Sequence, residues 1–129
     1  MTVTKENIKE HLDIYMGAFL DAENVTQKKI EKFAKYLDDI IVDKIKAKDY
    51  RISSETIKEY RYNVINILVT IPIEKTKTII PDNVDFGMID DEIGFILNKM
   101  YDYKIEFDIA ARMNEHCVKF DIAVTPVLH

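Results

Sequence analysis

Three carboxylates near the C-terminus have the clearest chemical potential in this chain. Glu106, Asp108 and Asp121 lie in two stretches where apolar and polar residues alternate, and all three belong to the polar set. Clustered acids can bind a divalent metal or share a single proton. A wet sheet face, with Lys104, Arg112 and Lys119 screening the acids, accounts for the same pattern. The sequence favours that second account, because antiparallel sheets commonly leave one face to solvent. The local triplets, Glu106-Phe107-Asp108 and Lys119-Phe120-Asp121, do not give the acid-x-lysine pattern of metal-dependent nucleases. No metal is assigned, and a small metal-dependent hydrolase on these three acids ranks below the readings that follow.

Cys117 paired with a histidine would supply a thiolate nucleophile. His116 is its immediate neighbour, however, and successive residues of a strand point to opposite faces. His11 or His129 would have to arrive from elsewhere, and three histidines and one cysteine so scattered offer no zinc-ligand spacing. Only Gly17, Gly87 and Gly94 are available, so neither a P-loop nor a dinucleotide fingerprint can be written. Ser53 and Ser54 stand in no nucleophile elbow and read as turn or cap residues. Accordingly, no catalytic residue, cofactor or small-molecule substrate is assigned.

Charge patterning is more informative. Lys28, Lys29, Lys32 and Lys35 cluster in the first turns of a helical pattern, where the helix dipole disfavours cations. Pairing of Glu31 with Lys35 fits a plain solvated face. The sharper reading is a basic strip that docks on an acidic surface, such as the acidic last third of a neighbouring copy. Asp90, Asp91 and Glu92 open another helical pattern, where the dipole favours them. These seven residues are the candidate interaction residues.

The elements that must carry them follow from periodicity. Ile8, Leu12, Tyr15, Met16, Phe19 and Leu20 trace one helix face, which predicts a helix over about 5–21 capped by Thr4. Ile30, Phe33, Ala34, Leu37, Ile40, Ile41 and Ile45 predict a second over about 25–48, with Asn24 and Gln27 as its capping box. A short polar link between the two suggests an antiparallel helical hairpin. From Tyr60 the period becomes two, giving a strand over 60–73 with Ile65, Ile67, Val69 and Ile71 on one face. Residues 49–53 read as a short strand, or Ser53–Thr56 as a helical turn, and 74–85 reads as a loop. A third helix follows over about 86–101, weakened by Gly87 and Gly94.

Tyr103 to Arg112 and Cys117 to Val124 form a closing hairpin. A turn on Asn114-Glu115, or four residues around it, places Ala111 opposite Val118, Ile109 opposite Phe120 and Phe107 opposite Ile122. Asp108 then faces Asp121. The expected fold is α+β: a helical hairpin over about 5–48, then an antiparallel sheet of three to four strands with one crossover helix over about 49–126, as a single domain.

The 129 residues, 47% apolar and 32% charged, suit one ordinary folded domain. A single cysteine excludes an internal disulfide and suits a reducing, cytoplasmic setting. No signal peptide and no membrane-length apolar run is legible. The net charge of −5 divides as −1 over residues 1–50, +2 over 51–80 and −6 over 81–129. That balance argues against nucleic-acid binding. The expected function is therefore a non-enzymatic protein-interaction or assembly subunit that forms a homo-oligomer, a ring or part of a larger assembly. The surplus of Ile and Lys over Ala fits an AT-rich source, so a phage or mobile-element virion, tail or neck component is one form of this reading. The alternative is an acidic inhibitor or immunity-type protein covering a toxin or defence enzyme.

Overall fold

The computed structural model describes residues 5–81 and 84–127, with side chains described at 11, 12, 14 and from 27 onward except 57. In chain order the elements are α1 (Lys5–Lys46), β1 (Arg51–Ile57), β2 (Tyr60–Pro72), α2 (Ile73–Lys77), α3 (Phe86–Met100), β3 (Ile105–Met113) and β4 (Cys117–Pro126). The strands form one antiparallel sheet in the order β1-β2-β4-β3. The fold is thus α+β, as the periodicities indicate. The first ambiguity resolves to a strand at 51–57, and the loop expected over 74–85 begins with the single turn of α2.

The N-terminal helical hairpin is not formed; residues 5–46 make one continuous helix. Residues 21–25, Asp-Ala-Glu-Asn-Val, contain no glycine or proline to stop a helix. The apolar series also stays in phase across the supposed link. Ile8, Leu12, Tyr15 and Phe19 precede Ile30, Ala34, Leu37 and Ile41 by the same 22 residues, close to a whole number of helical turns. Asn24 and Gln27 therefore lie inside the helix rather than at its start, while Thr4 lies outside the described residues.

The second half of α1 lies on the sheet. Ile30, Phe33, Ala34, Leu37 and Ile41 are buried together with Phe86, Ile93 and Leu97 of α3. Beneath them lies the inner sheet face of Ile67, Val69, Ile71, Ile109, Val118, Phe120 and Ile122. Phe33, Phe86 and Phe120 form the centre, with ring centroids 4.9, 5.7 and 5.8 Å apart. Truncating a ring as enclosed as Phe33 costs about 3–5 kcal/mol.

Both faces of the closing hairpin are as expected, but its register is displaced by two residues. Ala111 pairs with Phe120, Ile109 with Ile122 and Phe107 with Val124. Asn114 accounts for the shift. Its Oδ1 accepts from the N–H groups of His116 and Cys117, both at 2.8 Å, and its own N–H donates to the Cys117 carbonyl at 3.0 Å. The tip therefore falls on Glu115-His116, one position later than the expected turn. A two-residue displacement keeps every side chain on its face, which is why the apolar pattern alone does not distinguish the two pairings.

Strand β2 is interior rather than an edge, flanked by β1 and β4. The sheet edge at β3 is covered by α3. Asp90 Oδ2 accepts from the Ala111 N–H at 3.0 Å, and Asn98 Oδ1 accepts from the Phe107 N–H at 2.6 Å. Between them, a Cβ on Gly94 would stand 3.0 Å from the Phe107 carbonyl oxygen. Gly94 thus permits the helix to approach the strand closely, a larger effect than the propensity it gives up.

Candidate interaction surface

The three acids of the closing hairpin do not converge. Asp108 faces Ala123, Asp121 faces Ala110 and Glu106 faces Thr125. Asp121 is paired with Arg112, Nη2 to Oδ2 at 3.0 Å, and both side chains are well exposed. Among the described residues, no three His, Cys, Asp or Glu side chains lie close enough together to hold a metal ion. The expected Asp108–Asp121 pair is therefore corrected to a diagonal arrangement, a direct result of the displaced register. Cys117 is half-buried and free, and the exposed His116 is part of the turn. His129 lies outside the described residues.

The same open face carries a tyrosine that sequence reasoning passed over. Tyr62 donates to Glu55 Oε2 at 2.9 Å, and that hydrogen bond, with smaller contributions from burial and nearby Glu106, raises its pKa. Asn66 donates to Ser53 Oγ at 2.9 Å across the β1–β2 pair. These contacts hold β1 to β2 and place no reactive pair.

The acids opening α3 divide by role. Asp85 caps the helix by accepting from the Gly87 N–H at 3.0 Å, and Asp90 holds the β3 edge. Asp91 is exposed and Glu92 half-buried, so Asp90 is a structural acceptor and Asp91 the most available of the three.

The lysine strip stands on the outer side of the layers. Lys28, Lys32 and Lys35 are exposed, whereas Lys29 is half-buried and already partnered. Together with α3 they border a groove of about 600 Å³, lined also by Glu31, Phe95, Lys99 and Met100. Phe95 is 59% exposed and Met100 42%. Four ammonium groups around an apolar floor suit an amphipathic acidic segment rather than a small neutral ligand. Lysine spacing alone indicated the strip. Its α3 wall stayed hidden because nothing in the sequence shows that α3 lies beside α1.

Upstream of the groove, α1 continues for more than twenty residues. Leu12 is 58% exposed and Ile14 64%. Ile30 is the first buried α1 residue among those whose side chains are described. No helix among the described residues is long and apolar enough to cross a membrane.

Fold and surface together define an α+β domain with one 42-residue helix whose described buried residues begin at Ile30. No protein-family model matches the chain, and no curated protein or solved structure is similar to it.

Proposed function

We propose that this protein is a non-enzymatic assembly subunit that acts by binding other copies of itself. One observation carries the reading: α1 runs over Lys5–Lys46 with its described buried residues beginning at Ile30, while Leu12 and Ile14 of its first half are exposed. The apolar series upstream of Ile30 repeats the spacing of the buried one, and Leu12 within it is exposed. Apolar surface displayed at helical spacing marks a binding face. Helices in water draw most of their stability from packing an apolar face, and a second copy would supply that packing to Leu12 and Ile14.

Static light scattering over a concentration series tests the reading. The weight-average mass should rise above the 15.1 kDa of one chain. A mass constant at one chain up to about 100 μM, a concentration where micromolar contacts are saturated, would contradict it.

A further inference from the structure

We infer that β1 is a self-complementary sheet edge through which two copies pair antiparallel, about a two-fold axis at Ser53, to join their sheets into one. The inference rests on the assembly reading above and adds a named contact between copies to it.

The two edges of the sheet are treated differently. At β3, side chains of α3 take the Phe107 and Ala111 N–H groups. Along β1, the described side-chain hydrogen bonds join Glu55 to Tyr62, Ser53 to Asn66 and Ser54 to Asn63, so all run across to β2. No described β1 residue belongs to the core. In an antiparallel pair only alternate residues turn their N–H and C=O groups towards the neighbouring strand, so the remainder of β1 points outward. Nothing along it blocks another strand. Residues 51–57 pair with 60–66 without a bulge and contain neither proline nor lysine, the usual guards of an exposed edge.

The side chains of β1 name the occupant. Arg51, Ile52, Ser53, Ser54, Glu55 and Thr56 are all exposed, and Arg51 and Glu55 are the only charged residues of the strand. A two-fold axis perpendicular to the sheet keeps both helix layers on one side, so odd residues meet odd and even meet even. With the axis at Ser53, Arg51 stands opposite Glu55 of the second copy and Glu55 opposite Arg51 of the second copy, giving two opposite-charge pairs on the open face. Moving the axis to Ile52 sets Glu55 against Asp49, and moving it to Ser54 leaves both charges without an opposite partner. Lys48 and Lys58 meet only beyond this stretch, where both occupy left-handed turn positions. On the helix side, Ile52 is 60% exposed and stands diagonal to Ile52 of the second copy, within reach across the pair.

Charge exchange between the two positions tests the inference. Arg51→Glu alone sets acid against acid at both pairs, and Glu55→Arg alone sets base against base. Each should weaken self-affinity about tenfold, seen in light scattering as a mass below that of the wild type at equal concentration. Arg51→Glu combined with Glu55→Arg in one chain restores opposite charges and should recover the wild-type mass. Circular dichroism and melting temperature confirm that the variants fold. In the wild-type protein, amide exchange at alternate residues of 51–55 should slow as concentration rises, a readout that needs no variant. Wild-type mass in either single variant, a folded double variant that stays at reduced mass, or β1 exchange that is equal in dilute and associated protein would overturn the inference and leave the assembly reading standing. A wild type that never exceeds one chain would remove both.

Discussion

Five left-handed backbone positions are occupied by residues other than glycine: Lys48, Lys58, Glu59, Asp102 and Tyr103. Two of them close helices. The Asp49 N–H donates to the Lys44 carbonyl and the Lys48 N–H to that of Ile45, and the same pair of bonds recurs after α3 from Tyr103 to Asn98 and from Asp102 to Lys99. Both are Schellman closures, where glycine is the usual left-handed residue. Lys48→Gly should therefore stabilise the fold by about 0.5–1 kcal/mol, read as a higher denaturation midpoint. A lower midpoint would show that the Lys48 side chain contributes more than its backbone costs. Tyr101 gives a residue-scale pH prediction. Burial and the hydrogen bond its hydroxyl donates to Asp38 Oδ1, at 2.7 Å, push its pKa up to about 12. The folded state thus holds this proton more tightly than the unfolded chain, so its stabilisation is intact below pH 10 and is lost as pH rises towards 12. Tyr101→Phe should show a shallower loss of stability over that window than the wild type. Equal slopes would contradict the assignment.

At the scale of elements, the cover that α3 gives to β3 is the most testable arrangement. Asn98→Ala removes the acceptor of the Phe107 N–H and should cost about 1–2 kcal/mol. Exchange at that amide should accelerate more than at amides inside the β2–β4 pair, and unchanged exchange would place its protection elsewhere. Much of this architecture was legible beforehand. Alternation located β2, β3 and β4 with the correct faces, and the 3.6-residue period located α3 within one residue. What escaped was set by individual polar groups and by the absence of breakers. The hairpin register depends on two hydrogen bonds to Asn114, and the sequence offers an adjacent turn that preserves every apolar face. The single long α1 was read as two helices because Asn24 resembles a cap, although nothing from Asp21 to Val25 ends a helix. The edge cover was illegible because Gly94 reads as a defect until it stands against the Phe107 carbonyl. The lysines were visible, but the groove they border appears only once α3 lies beside α1.

At the scale of the whole molecule, the sheet is protected on three sides and the helix layer is not. The inner face is filled, the β3 edge is covered, and the open face carries mixed charges with the Arg112–Asp121 pair. Among the described residues, β1 is the uncovered sheet edge, and its described side chains are all exposed. Within α1, residues 5–26 sum to −3 and residues 27–35 to +3, so the proposed association between copies should be stronger at low salt and weaken as salt rises. Sedimentation equilibrium of the wild-type protein at low and high ionic strength measures this most directly. The account predicts a mass above the 15.1 kDa of one chain at low salt that falls towards one chain as salt is added. A mass of one chain at both ionic strengths would contradict it.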